Sequence, residues 1–143
     1  MPIQTEASTA NMQTLLIVDD DPETTSVLNQ SLSKEGFRVL VANSGAEGVR
    51  LFRSERIGVS IVDIWMPEKD GIETIMEIRL SVPDAKIIAI SGGGKLGLLS
   101  PLAWVTKLGA MHTLVKPFSS TELLDAVSEA LAADALVRTP ARG

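Results

Sequence analysis

The length, composition and charge of the chain exclude several classes of protein. Its 143 residues are 45% hydrophobic and 22% charged, which fits one globular domain better than a disordered or fibrous protein. The chain contains no cysteine, which excludes disulfide frameworks, zinc-thiolate sites, iron-sulfur clusters and thiol nucleophiles. A net charge of -5 opposes binding to phosphate backbones and anionic lipids, so we expect neither nucleic acid nor a membrane as a partner.

The two ends of the chain are predicted to lie outside the folded domain. Residues 1–13 are polar, lack hydrophobic periodicity and contain neither the basic nor the apolar region of a secretory signal. No apolar run approaches the ~20 residues that a membrane-spanning helix needs. We therefore predict a cytoplasmic protein with a flexible tail at 1–13, a folded domain at 14–134, a short tail at 135–143 and no output domain.

The first ordered segment predicts a buried strand followed by a helix. Residues 15–18 form a continuous apolar run that stops at three aspartates, as expected for a strand buried on both faces. Pro22 suits the first turn of a helix, and Gly36 suits the position just after its end.

The rest of the chain alternates between short β-rich runs and helical stretches. Four further strands are predicted at residues 37–42, 58–63, 86–91 and 113–116. Helices are predicted at residues 45–55, 71–81 and 101–108, and a last one follows the capping box of Ser119 and Glu122. Five strands alternating with five helices predict an α/β fold, a doubly wound parallel sheet with helices on two faces.

Polar side chains stand where four of the predicted strands end. Asp19 and Asp20 end the first strand, and Asp63, Ser91 and Lys116 end the third, fourth and fifth. Ligands of open parallel sheets bind at the carboxyl ends of the strands, where the strand order reverses, so these residues are expected to converge. The second strand ends without such residues, which is typical of an edge strand in the flavodoxin-like order 2-1-3-4-5.

The expected cluster suits a divalent cation and a phosphoryl group. Carboxylates gathered in one pocket repel each other, and a hard cation such as magnesium relieves that repulsion by taking their oxygens as ligands. With three carboxylates, one magnesium ion and Lys116, the site is near neutral and can accept a phosphoryl group. An aspartate is a known nucleophile for that group, and the lysine and the Ser91 hydroxyl are suited to hold its oxygens.

Four motifs in the right order resemble a response-regulator receiver domain. They are the apolar run ending in Asp19-Asp20-Asp21-Pro22, the segment Val62-Asp63-Ile64-Trp65-Met66-Pro67, Ser91 after an apolar strand, and Gly109-Ala110 leading to Lys116-Pro117-Phe118. The resemblance covers the whole predicted domain. It implies a stand-alone signalling module of a two-component system or phosphorelay.

The resemblance also implies a role for each residue of the cluster. Asp63 is then the phosphoacceptor, and the ligands of magnesium, or of another divalent cation such as manganese, are Asp19, Asp20, Asp63 and the backbone carbonyl of Trp65. Ser91 and Lys116 would bind the phosphoryl group and take part in switching. The bond between Lys116 and Pro117 would be cis. The donor would be a phosphohistidine on a sensor histidine kinase or a histidine phosphotransfer protein, and the domain would catalyse only its own phosphorylation and dephosphorylation.

One residue departs from the pattern of the resembled family. That family usually carries an aromatic switch residue three positions before the lysine, where this chain has Thr113. Switching must therefore run differently, with Trp104, His112 or the Gly92-Gly93-Gly94 loop as possible contributors. We expect the downstream protein target to bind the face formed by the fourth predicted helix, the fifth strand and the fifth helix.

Two other functions are compatible with parts of the sequence. A pseudo-receiver would keep the fold and bind partners without phosphorylation, and Thr113 is the main support for it. A haloacid-dehalogenase-like phosphatase would use the D-x-D spacing of Asp19 and Asp21, but Glu23 stands where its motif continues with Thr or Val. The phosphatase interpretation also gives Asp63 no nucleophilic role.

Overall fold

A computed structural model describes residues 13–64, 71–91 and 109–142 of the chain, with side chains as far as Ala133. The strands are β1 Thr14–Val18, β2 Arg38–Ala42, β3 Val59–Asp63, β4 Ile87–Ser91 and β5 His112–Val115. The helices of the described residues are α1 Pro22–Lys34, α2 Gly45–Ser54, α3 Gly71–Ser81 and α4 Ser120–Arg142.

All five strands pair in parallel in one sheet, in the order β2-β1-β3-β4-β5. This confirms the predicted fold class and strand order. The carboxyl ends of β1 and β3 are neighbours at the centre of the sheet, with Val18 paired to Val62. The direction in which successive strands are added to the sheet reverses between β1 and β3, so the polar residues at the carboxyl ends of these two strands lie beside each other.

The two faces of the sheet bury two separate hydrophobic clusters, because side chains alternate along each strand. In β1, Leu16 and Val18 face the cluster that α2 and α3 cover, which includes Phe52, Ile75 and Ile78. Leu15 and Ile17 face the opposite cluster, which α1 and α4 cover with Leu28, Leu32, Leu123, Ala126, Val127 and Ala130. Burying each of the large side chains contributes about 1.5–3 kcal/mol, so the central strands are held firmly between two layers of helices.

Side-chain caps fix where three helices begin. The carboxylate of Asp21 accepts a hydrogen bond from the Glu23 N–H at the start of α1, and Ser44 does the same for the Glu47 N–H of α2. Before α4, Ser119 and Glu122 form the reciprocal capping box that the sequence predicted.

Several boundaries differ from the predicted ones. β2, β3 and β4 each begin one residue later than predicted, and β5 covers His112–Val115 instead of 113–116. α4 continues to Arg142, past the predicted end at Asp134, since no glycine or proline interrupts the Ala- and Leu-rich sequence before Pro140. The predicted helix at 101–108 and all but the last residue of the predicted N-terminal tail lie outside the described residues. No helix in the part of the chain that the structure describes has the length and apolar character to cross a membrane.

Candidate functional site

Three carboxylates meet at the centre of the carboxyl edge of the sheet. One oxygen from each of Asp19, Asp20 and Asp63 lies within 4.8 Å of the others. Asp19 and Asp63 are buried, whereas Asp20 is exposed. Asp19 and Asp20 follow β1 and Asp63 ends β3, so the neighbouring position of these two strands brings the three together.

Asp19 is held in one orientation by the main chain around it. Its own N–H donates to the Ala42 carbonyl at 3.1 Å, which ties the end of β1 to β2. Its Oδ1 accepts a hydrogen bond from the Asp21 N–H at 2.9 Å. Its buried Oδ2 accepts no hydrogen bond from any described residue, and it lies 3.6 Å from Lys116 Nζ. The carboxylate therefore presents one oxygen to the cluster.

Lys116 places its ammonium group between two of these carboxylates. Lys116 Nζ lies 3.6 Å from Asp19 Oδ2 and 3.8 Å from Asp63 Oδ2. The side chains of Asp19 and Asp63 are 1% and 7% exposed, whereas that of Lys116 is 27% exposed. The lysine thus offsets part of the repulsion between two buried carboxylates, and it is the more exposed partner of each ion pair.

The cluster has the chemistry of a site for a hard divalent cation. Carboxylate oxygens are the ligands that magnesium prefers, and three of them converge here. The buried Asp19 Oδ2 accepts no hydrogen bond from the described residues, and its ion pair with Lys116 Nζ is 3.6 Å long, so a metal ion would supply the close partner that a buried oxygen requires. Asp19, Asp20 and Asp63 therefore fit a bound magnesium ion. The backbone carbonyl of Trp65, the fourth expected ligand, lies outside the described residues.

Ser91 and Lys116 are joined through their main chains. Ser91 ends β4 and is 6% exposed, and its carbonyl accepts a hydrogen bond from the Lys116 N–H at 2.9 Å. The adjacent strand is fixed in the same way, with the Ile64 N–H donating to the Ile90 carbonyl at 3.0 Å. The peptide bond between Lys116 and Pro117 is cis. Asp63 and Ser91 are the last residues of β3 and β4, and Lys116 directly follows β5, so the three residues lie at the same edge of the sheet.

Gly71, the first residue of α3, packs directly against the backbone of Asp63. A Cβ atom at this position would overlap the Asp63 carbonyl oxygen and the Ile64 Cα. The Gly71 N–H also donates to the Ile64 carbonyl at 3.3 Å. Only a residue without a side chain allows α3 to begin so close to the end of β3. This role of Gly71 could not be predicted from the sequence, because no local pattern shows which strand end a helix will contact.

Asp21, the third acid of the run 19–21, is the cap of α1 and lies outside the group of three carboxylates. Its Oδ1 accepts from the Glu23 N–H at 3.2 Å and its Oδ2 from the Thr24 hydroxyl at 2.6 Å. The Thr24 hydrogen bond is the main reason why the pKa of the Asp21 carboxyl lies below its ordinary value of 3.8, with smaller contributions from neighbouring N–H groups and Lys116.

Of the residues considered for switching, the structure describes Thr113 and His112, both in β5. Thr113 is half-buried in β5, where it pairs with Ala89, two residues before Ser91 on β4. His112 begins β5, and its Nε2 lies 3.4 Å from Glu129 Oε1 on α4. Trp104 and the Gly92-Gly93-Gly94 loop lie outside the described residues.

A family model and known protein sequences match this chain. The model of the response regulator receiver domain matches residues 15–128. The transcriptional regulatory protein CpxR of Klebsiella pneumoniae subsp. pneumoniae (strain HS11286) is 37% identical over 113 residues, 79% of this chain and 47% of CpxR. The transcriptional regulatory protein GlrR of Escherichia coli (strain K12) is 34% identical over 117 residues, 82% of this chain and 26% of GlrR. The chain spans about half or less of the length of these relatives.

Solved structures match the fold as well. A response regulator receiver domain protein from Clostridium thermocellum superposes with a TM-score of 0.81 and 29% identity, covering 88% of this chain and 99% of that one. The response regulator protein TrrA from Thermotoga maritima, solved in complex with Mg²⁺-BeF, matches with a TM-score of 0.72 and 33% identity. This match covers 84% of this chain and 100% of that one. These findings do not favour the phosphatase or pseudo-receiver interpretations.

Proposed function

The chain belongs to the response regulator receiver domain family, and on this basis we propose that Asp63 accepts a phosphoryl group from a phosphohistidine in a magnesium-dependent reaction. Receiver domains are signalling modules of two-component systems that partner with histidine kinases and downstream effectors. The observation that carries the proposal is the convergence of Asp19, Asp20 and Asp63 with the Lys116 ammonium group. The cytoplasm is the proposed compartment.

The proposed reaction uses the Asp63 carboxylate as the nucleophile. One of its oxygens forms a bond to phosphorus while the bond from phosphorus to the donor imidazole nitrogen breaks, and the imidazole takes up a proton as it leaves. The product is an aspartyl phosphate. Its later hydrolysis, with water attacking phosphorus, would regenerate the carboxylate, so the domain changes only its own state.

The groups around Asp63 are suited to this transfer. Lys116 Nζ, 3.8 Å from Asp63 Oδ2, is placed to hold a phosphoryl oxygen, and Ser91 offers a hydroxyl donor at the end of the next strand. Asp19 and Asp20 would hold magnesium together with Asp63 and the backbone carbonyl of Trp65. When bound, the ion supplies positive charge that offsets the negative charge of the phosphoryl oxygens.

The surface beside Lys116 suits the approach of a protein donor. A groove there is lined by residues of α1 and of the turn before α4, among them Val27, Leu28, Pro117 and Phe118. Val27 is 60% exposed although it is hydrophobic. A helix carrying the phosphohistidine, on a sensor kinase or phosphotransfer protein, would place its imidazole next to the carboxylates by covering this apolar surface.

The downstream target is proposed to bind the face that contains β5 and α4, together with the segment predicted as a helix at 101–108. Thr113 in β5 and Ser91 at the end of β4 connect this face to the site through the β4-β5 pairing. The curated relatives are transcriptional regulatory proteins much longer than this chain, so the absence of a nucleic acid partner stays a prediction from net charge.

The first test is the mass of the intact protein after incubation with acetyl phosphate, with and without magnesium. Wild type should gain one phosphoryl group only when magnesium is present, and Asp63→Asn should gain none. Asp84→Asn is the matched control, because it removes the same charge from an exposed turn far from the cluster, between α3 and β4. It should be modified as wild type is.

Three outcomes would contradict the proposal. An adduct on Asp63→Asn would place the modification on another residue. An adduct formed equally well in the presence of a chelator would remove the role of magnesium. Magnesium binding without an adduct from acetyl phosphate or from a phosphorylated donor protein would favour the pseudo-receiver.

A further inference from the structure

The third aspartate of the acidic run is connected to the first. The Asp21 side chain is engaged with α1, where its oxygens accept hydrogen bonds from the Glu23 N–H and the Thr24 hydroxyl. These two bonds hold Asp21 in an extended conformation, with φ at -91° and ψ at 112°. This conformation determines the direction of the Asp21 N–H.

That N–H is the group that orients Asp19. It donates to Asp19 Oδ1 at 2.9 Å, and this bond sets the rotation of the carboxylate. The other oxygen, Oδ2, is thereby placed in the buried centre of the cluster, 3.6 Å from Lys116 Nζ. The cap of α1 and the carboxylate cluster therefore share one continuous set of hydrogen bonds.

We propose that Asp21 is a positioning residue of the metal site, acting through its main-chain N–H on Asp19 while the Thr24 hydroxyl holds its side chain in place. The inference rests on the proposed function, since it concerns the magnesium affinity of the same site. Groups that orient a metal ligand typically change metal affinity about 10- to 100-fold when they are removed. Removing the cap leaves the N–H present but less firmly directed, so an effect near the lower limit is expected.

Asp21 also carries a negative charge near the cluster, and this offers a competing explanation for any effect. The Asp21→Asn variant distinguishes the effect of the lost charge from the effect of the lost cap. Its amide oxygen still accepts from the Glu23 N–H, and its NH₂ can donate to the Thr24 hydroxyl oxygen, so the cap is kept while the charge is lost. Alanine loses both the cap and the charge.

The experiment is a calorimetric titration of the full chain with MgCl₂ in physiological salt, combined with thermal unfolding in the absence of magnesium. For Asp21→Ala we expect the Kd for magnesium to rise about tenfold. Asp21→Asn should stay within about threefold of wild type, because salt screens the lost charge of an exposed group. Thr24→Val, which lacks the hydroxyl, should weaken binding, and Thr24→Ser should restore it.

Ser44→Ala is the matched control, because Ser44 caps α2 in the same way and its hydroxyl oxygen is engaged with the Glu47 N–H of that helix. It should lower the Tm as Asp21→Ala does and leave the Kd for magnesium unchanged. If Asp21→Ala lowers only the Tm, the residue is a cap and no more, and the inference is overturned. Equal weakening by Asp21→Asn and Asp21→Ala assigns the effect to charge and also overturns it. A wild-type protein that gives no magnesium titration overturns the proposed function together with this inference.

Discussion

Lys116 Nζ lies 3.8 Å from Asp63 Oδ2, and the lysine is the more exposed side chain of this pair. Asp63 ends β3 and Lys116 directly follows β5, and these two strands are not neighbours because β4 lies between them. The lysine side chain therefore extends past β4 to the carboxylates that follow the central strands. There it competes with any other cation for the same carboxylate oxygens.

Replacing Lys116 by alanine should tighten magnesium binding and impair signalling. Removal of a positive charge within 4 Å of two ligands is expected to lower the Kd for magnesium roughly three- to tenfold. The acetyl phosphate adduct should still form, more slowly, but without its effect on partner binding. Lys34→Ala, at the far end of α1, is the control. Calorimetry measures the Kd for magnesium, the mass of the intact protein measures formation of the adduct, and titration of each phosphorylated variant with a partner protein measures the effect on partner binding. Weaker magnesium binding by Lys116→Ala would contradict the assigned geometry.

Magnesium should stabilise the folded protein, because the carboxylate cluster exists only in the folded state. At a concentration of one hundred times the Kd, a ligand that binds only the folded state adds about 2.7 kcal/mol to the free energy of unfolding. Differential scanning calorimetry should show a higher Tm with MgCl₂ and no change with NaCl of equal ionic strength. Asp20→Asn should reduce the shift and Asp84→Asn should not. An equal shift in both variants would place the ion elsewhere.

Stability should fall in acid partly through Asp21. Because the pKa of its carboxyl is lowered in the folded state, Asp21 contributes stability that is fully present above the unfolded pKa of about 3.8 and is lost as the pH falls through the folded value. Urea unfolding of wild type and Asp21→Asn should therefore differ most at neutral pH, with the two curves converging below about pH 3.8. A difference that grows toward low pH would contradict the direction of the shift.

Gly71→Ala should damage the site as well as the fold. The new methyl group would displace the backbone of Asp63, and overpacking of this kind costs about 1–3 kcal/mol. Gly36→Ala is the control: it has open space around it but a φ of +96°, so it should cost about 1–2 kcal/mol through backbone strain alone. Both variants should unfold at lower urea concentration, and only Gly71→Ala should be phosphorylated more slowly. Equal phosphorylation rates would show that α3 can shift without moving Asp63.

Phosphorylation should change hydrogen exchange mainly in β5 and α4. β5 pairs with β4, where Thr113 is opposite Ala89 and Val115 is opposite Ser91. The contact of 3.4 Å between His112 Nε2 and Glu129 Oε1 joins β5 to α4. Exchange followed by mass spectrometry should show altered protection at residues 109–130 and little change in α2. Changes concentrated in α2 would place the output surface elsewhere.

The sheet and most of the site could be predicted because their signals are local. Each strand is a short apolar run, and the polar residue that ends it is visible in the sequence at Asp19, Asp63, Ser91 and Lys116. The strand order was predicted from β2, which is followed by no residue of the expected cluster and was therefore placed at the edge of the sheet. The fold class and the strand order were confirmed. The roles of the four polar residues stay predictions, although a parallel sheet gathers the carboxyl ends of its strands at one edge and so brings these residues to the same place.

The features that could not be predicted depend on contacts between distant segments or on turn geometry. Gly71 is one glycine among 11, and only the packing of α3 on β3 distinguishes it. The bond from Asp21 to Asp19 needs the exact backbone angles of the turn. Ser60 is fully buried in β3, and its hydroxyl has no hydrogen-bond partner among the described residues, which an apolar strand pattern does not indicate.

The hydrogen bond from the Lys116 N–H to the Ser91 carbonyl links the main chains that carry the lysine ammonium group and the serine hydroxyl. A force that moves the main chain at Lys116 is therefore transmitted to the end of β4. A partner that binds the segment after Pro117 would thus act on both residues, the two that we propose to hold the phosphoryl group. Binding at the outer surface and retention of the phosphoryl group would then rise or fall together.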